Sequence, residues 1–276
     1  VKNIIFIALL LLIAGCNLNI HHTDISVIPY EYGEVIFSIN KESPNQIYII
    51  GLSHRDALTR ANGIGTVKSG VQVYRIGEWL IQNKEFELLL SDGFLEDEAE
   101  DKKEIFFRND ARVSLNTETL EKELGREDIY INAEMLLKKS YNLRTRQVED
   151  LKQYDAIVEK IGLLGKYGKE SFEAQYIRFE LDYLQEIRTA TMLQSMPEVI
   201  GEEHRTGMIK NKKAIFTIGM SHIPAIVKYL KQKRIEIASP AFSAYGDYLS
   251  GVELLEKDFG VTIIIPRTLA KLQIDG

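Results

Sequence analysis

Two stretches of the chain, 168 positions apart, carry the same pattern. One is Tyr48-Ile49-Ile50-Gly51-Leu52-Ser53-His54 and the other is Phe216-Thr217-Ile218-Gly219-Met220-Ser221-His222. Each is an apolar run, as expected of a strand, leading into Gly-x-Ser-His. The glycine is expected to let the chain turn sharply off the strand. The histidine then stands at the strand's carboxyl end, the edge where open α/β sheets bind ligands. Two imidazoles delivered in this way can converge on one divalent ion, or one can act as base and the other as ligand. Taken singly, each is also compatible with a loop histidine held by backbone; the repeated context favours a shared role. Asp92, in Leu88-Leu89-Leu90-Ser91-Asp92-Gly93, closes another apolar run. Its carboxylate can ligate a metal or act as general base, and the same residues also suit an Asp-Gly turn. Arg55 and Asp56 follow His54 and read either as site residues or as a surface charge and a helix cap.

Arg188 lies four residues beyond Leu184, on the helical row of Ile177, Leu181 and Leu184. An arginine on a core-facing row needs an acidic partner or an anionic ligand, unless it snorkels from the helix end. Glu180 sits on the neighbouring row, while Glu78 is expected to be exposed. His204 reads as a solvent-facing loop residue, as do the adjacent His21 and His22 in a polar tether.

The elements that position these residues alternate. Short apolar runs at 47–50, 86–90, 214–218, 235–238 and 261–265 suit strands buried on both faces. Helical spacing is expected over 67–83, 171–194 and 223–231. Strand, helix, strand within about forty residues marks a parallel sheet. The fold class is therefore α/β, a mainly parallel central sheet flanked by helices. Residues 96–104 hold six acids and read as a solvated loop. From about 115 to 164 the pattern is helical, with Val148, Leu151, Tyr154, Val158 and Ile161 as one apolar stripe. Together, residues 96–165 are expected to form a helical insertion within a single domain spanning 28–276.

At the other end, Lys2 precedes ten apolar residues, Ile4 to Ile13, and then Ala14-Gly15-Cys16. Ten helical residues rise only about 15 Å, half of a bilayer's hydrocarbon core, so a secretory signal fits better than a membrane span. Ile13-Ala14-Gly15-Cys16 resembles a bacterial lipobox. Residues 1–15 are then a lipoprotein signal peptide, Cys16 is the acylated residue, and 16–27 form a tether. That expectation places the protein in the cell envelope, anchored in the lipid bilayer, and in the outer membrane where the host has one. The 276 residues are 45% hydrophobic and 27% charged, ordinary for a globular chain. A net charge of -6 repels phosphate backbones, so no nucleic-acid partner is expected. A single cysteine excludes an intramolecular disulfide framework and any Cys-rich zinc site.

In their order along the chain, these islands resemble the TraB/Tiki/erythromycin-esterase-like/ChaN superfamily. The matching residues are Gly51 and His54, Asp92, Glu186 with Arg188, and Gly219 and His222, with the Ile223–Leu230 segment behind them. They cover about a third of the chain. The resemblance implies an α/β fold with both histidines in one cleft, and members that include metal-dependent proteases, esterase-like enzymes and a haem-binding lipoprotein. It therefore implies an amide- or ester-cleaving hydrolase acting on a peptide, an ester or another small molecule. His54, His222 and Asp92 would hold a divalent ion (Mn, Co or Zn), with Asp92, Glu186 and Arg188 as catalytic groups. The alternative is a ligand-binding lipoprotein in which Tyr48, Tyr74 and the two histidines clasp haem. Two departures stand out. Asp92 replaces the family's usual glutamate, and Arg55-Asp56 replaces the further Glu and His of esterase-like members.

Overall fold

The computed structural model describes residues 28–53, 61–63, 65–92, 114–168, 170–237, 248–249 and 252–274. The expected signal peptide, Cys16, the tether, His54 and the acidic stretch 96–104 lie outside the described residues. Among the described residues, no helix is long and apolar enough to cross a membrane.

In chain order the elements are β1 (Gly33–Ile39), β2 (Asn45–Leu52), α1 (Thr66–Lys84), β3 (Leu88–Ser91), α2 (Thr117–Leu124), α3 (Ala133–Tyr141), β4 (Arg144–Gln147) and α4 (Leu151–Leu164). They continue with α5 (Phe172–Arg205), β5 (Lys213–Gly219), a 3-10 turn (Met220–His222), α6 (Ile223–Gln232), β6 (Ile235–Glu236), β7 (Tyr248–Leu249), α7 (Glu253–Glu256), β8 (Phe259–Pro266) and α8 (Arg267–Ile274). Six strands form one sheet in the order β1-β8-β2-β5-β3-β4. Only β1 runs antiparallel to its neighbour; β8, β2, β5, β3 and β4 are parallel. The α/β architecture expected from the alternating runs is thus present.

Each face of the sheet carries its own core. Ile47, Ile49, Leu90, Phe216 and Ile218 point towards the carboxyl-terminal half of α5 and towards α6. Tyr48, Ile50, Leu89, Ile215 and Ile264 point towards α1, α2 and α3. Strands buried on both faces read as continuous apolar runs, which is why these segments were legible. Helices α2 to α5 begin where side chains cap them. Asn116, Asn132, Asp150 and Ser171 accept the N–H of Thr119, Met135, Gln153 and Ala174, respectively, so each satisfies one orphan donor of a first turn.

Several expectations need correction. The stretch 96–165 is not purely helical, because β4 joins the sheet edge beside β3. Its sequence, Arg-Thr-Arg-Gln, lacks apolar alternation, as edge strands often do. The expected stripe is buried only at Val148, before α4: Leu151, Tyr154 and Val158 are exposed, and only Ile157 of that helix is buried. The long helix runs on to Arg205, through Pro197, so His204 sits in its last turn rather than in a loop. The run at 235–238 gives β6, which pairs with β7 in a separate two-stranded ribbon.

Candidate functional site

The two Gly-x-Ser-His segments leave the sheet side by side. β2 and β5 are adjacent and parallel, with Gly51 opposite Ile218 and Leu52 opposite Gly219. The motifs also touch. A Cβ built on Gly51 would lie 2.5 Å from Met220 Sδ, so an alanine there would force the Met220 side chain, on the turn that carries His222, to move. This corrects the expected role of the motif glycines. Gly219 has φ -55 and ψ 140, a conformation open to any residue. At Gly51 the chain is packed closely against the Met220 side chain, and Gly219 makes no left-handed turn.

His222 is buried, and both of its ring nitrogens are engaged. Arg188 Nη1 donates to Nε2 at 3.2 Å, and Thr189 Oγ1 lies 2.5 Å from Nδ1. A guanidinium can only donate, so Nε2 accepts and the proton sits on Nδ1. Nδ1–H then donates to the Thr189 hydroxyl, whose own O–H donates to the Gln185 backbone carbonyl at 2.7 Å. The ring is thereby fixed in one tautomer by consecutive residues of α5.

Arg188 is 9% exposed and faces inward, as its helical row indicated. The acidic partner that row required is Glu149, in the loop between β4 and α4, whose carboxylate accepts from Arg188 Nε. Nη2 donates to the Asp92 carbonyl, and Nη1 also reaches Gln185 Oε1 at 3.3 Å. Of the five N–H donors of a guanidinium, these bonds use four. Arg188 therefore ties β3, α5, the β4–α4 loop and the turn after β5 into one cluster. Asp92 sits at the end of β3, and its Oδ2 accepts the Gly219 N–H at 2.8 Å. One carboxylate thus holds the second motif's glycine while its own backbone is held by Arg188. The Glu149 side chain is fully buried. Burial pushes its carboxyl above the ordinary range, against the opposing pull of Arg188, and the nearby Asp92 and Asp150 push the same way as burial.

Other sequence candidates fall elsewhere. Glu186 meets Tyr229 and Lys228 of α6 rather than Arg188. Glu180 pairs with Lys160 of α4. Glu78 is buried, against expectation, and accepts from Tyr141 Oη and Arg75, both at 2.6 Å. Tyr48 and Tyr74 are enclosed in the core beside α1, Tyr48 edge-on to Phe86, and so are not placed to clasp a haem. Glu149, Thr189 and Gln185 were missed. Glu149 lies in a loop with no periodicity to flag it, whereas Thr189 and Gln185 were within reach, one residue after and three before Arg188.

The fit to a divalent ion can be judged on His222. Its Nε2 lone pair is taken by a cationic guanidinium and its Nδ1 carries hydrogen, so in this arrangement it offers an ion nothing to bind. No group of three His, Cys, Asp or Glu side chains that could hold a metal occurs among the described residues. No protein-family model, curated protein or solved structure matches the chain.

Proposed function

We propose that the chain is a hydrolase of amide or ester bonds, working at the carboxyl ends of β2, β5 and β3. The observation that supports this reading is the buried Arg188–Glu149–His222–Asp92 cluster. Four elements remote in sequence bring ionisable groups out of water at the edge where α/β sheets bind ligands. Burying charge is costly, and such clusters concentrate at active sites, although purely structural ion networks occur too. In this reading Asp92 and His54 are the groups that act on the substrate carbonyl, and His222, whose ring nitrogens are engaged by Arg188 and Thr189, is held beside them. A water attacks the carbonyl carbon, and one of these groups takes its proton and later returns it to the leaving oxygen or nitrogen. Arg188 is a positioning residue: with four donors committed, it orients His222 and the Asp92 backbone rather than the substrate. Acylation of Cys16 and residence in the cell envelope belong to the same proposal.

The test is a panel of nitrophenyl esters and fluorogenic peptides, assayed with EDTA and with added Mn, Co or Zn. Turnover that survives EDTA and is lost in His222→Gln supports the reading. Activity that strictly requires an added ion contradicts this ion-free step. Binding of haemin without turnover of any substrate contradicts the proposal and favours a ligand-binding lipoprotein.

A further inference from the structure

The amino-terminal half of α5 is apolar on two sides. Ala174, Ile177 and Arg188 mark its buried row, and α4 is tied to the same helix through Lys160–Glu180 and Gln153–Thr191. On the far side of the helix, Phe172, Tyr176, Phe179 and Tyr183 follow one another at spacings of four, three and four residues. Phe172 is 77% exposed, Phe179 47% and Tyr176 38%, while Tyr183 packs at the margin of the sheet core. Exposed apolar side chains scattered singly are ordinary, but here three aromatics form one continuous row. Among the described residues nothing covers that row. Spacings of four and three make the seam of a coiled coil, with Phe172 and Phe179 at d positions and Tyr176 and Tyr183 at a. The flanking e and g positions are then Glu173, Gln175, Glu180 and Asp182. Three of these four are acidic and none is basic, and Glu173 and Asp182 are exposed.

We propose that this face docks a basic amphipathic helix of a partner protein, one whose apolar seam is flanked by Lys or Arg. Aromatic side chains bring large contact area to an interface and dominate its energetics. The charges beside the seam choose the partner, because e and g side chains meet their counterparts across a helix pair. A second copy of this chain would set Glu173 and Asp182 against the same acids, and an anionic bilayer would meet the same repulsion. Lysines in those places turn both contacts into attractions. Aromatic side chains of about 200 Å² each, exposed to the stated extents, offer about 300 Å², below the roughly 800 Å² per partner of a standard interface. The contact is therefore a transient one. The seam lies away from the Arg188 row, so docking leaves the Arg188 cluster untouched.

This inference goes beyond the hydrolase reading and requires no turnover, so each stands or falls alone. The probe is a synthetic peptide of three heptads, with Leu at a and d, Lys at e and g, and a fluorophore at one end. Titrated with the full chain and followed by fluorescence anisotropy, it should bind saturably. The matching peptide with Glu at e and g should bind at least about tenfold more weakly. A peptide of the first one's composition in scrambled order, which has no seam, should bind no better than the Glu peptide. Phe179→Ala should weaken binding of the Lys peptide at least about tenfold with no loss of helix content. Glu173→Lys combined with Asp182→Lys should reverse the preference, so that the Glu peptide binds the tighter. No saturable binding, equal affinity for the two peptides, or a preference that survives the charge swap would each overturn the proposal. So would dimerisation of the chain alone, or its adsorption to vesicles of phosphatidylglycerol and phosphatidylcholine, where Phe179→Ala abolishes it: these outcomes assign the face to a second copy or to a bilayer.

Discussion

Replacing Arg188 by methionine keeps most of the side chain's length and removes its charge. In the native fold that charge faces a fully buried Glu149, whose Oε2 has no hydrogen-bond partner among the described residues. Without the guanidinium, Oε1 loses its donor as well. Removing one partner of a buried ion pair typically costs about 3–5 kcal/mol, because an uncompensated charge is left behind. For a domain of this size, that lowers the melting temperature by roughly 10 °C. The pH dependence carries the sharper signature. Burial already holds the Glu149 carboxyl above its unfolded value near 4.5, and Arg188 is the main force opposing it. The folded state therefore binds this proton more tightly than the unfolded chain. Stability consequently falls as pH rises from 4.5 through the higher folded value. Arg188→Met removes the opposing force and widens that window upward. The deficit relative to wild type, measured by urea unfolding, should be largest near pH 8 and shrink towards pH 5. Adding Glu149→Gln to Arg188→Met should recover about half of the loss, since no buried charge remains. A deficit under about 1 kcal/mol, or one equal at both pH values, would refute this account of the cluster.

Three further outcomes are expected. Gly77→Ala places a Cβ 2.4 Å from Leu137 Cδ1, in a core where Leu137 cannot yield; despite better helix propensity, it should cost about 1–2 kcal/mol in thermal or urea unfolding. Glu203, nearly inaccessible and bound by Arg144 and Arg146, has its carboxyl held below the ordinary range chiefly by the Arg144 hydrogen bond. Its stabilisation is present above the unfolded value near 4.5 and lost as pH falls through the folded value, so Glu203→Gln should cost about 2–3 kcal/mol at pH 7 and progressively less in acid. Gly51→Ala should shift the ring resonances of His222 by displacing Met220, and Met220→Ala should restore them.

What the sequence revealed follows from what each signal measures. The doubly buried strands β2, β3, β5 and β8 announce themselves as apolar runs, because most of their residues face one of the two cores. The edges stayed hidden. β1 has a register shift between Val35 and Phe37 that breaks its alternation, and β4 is polar throughout. Arg188 was found because a charge interrupts an apolar row; its partner Glu149 was not, because a loop has no period. The stripe on α4 misled for a related reason. Periodicity shows that a helix has an apolar face, not that anything covers it, and Leu151 and Val158 remain exposed. Gly51 was read for conformational freedom, whereas the structure packs it against the side chain of Met220 on another strand's turn. That distinction depends on a neighbour more than 160 positions away, which no local pattern encodes.

Cooperation between the two motif histidines is tested most directly by kinetics on single and double variants. Groups that serve one reaction lose their effect together, so the second removal adds little to the first. With an ester or amide substrate from the panel, His54→Ala and His222→Gln should each reduce kcat/KM by at least about a hundredfold. The double variant should then be no slower than the worse single one. Losses that multiply, or full activity in either single variant, would mean the two rings do not act in one crevice.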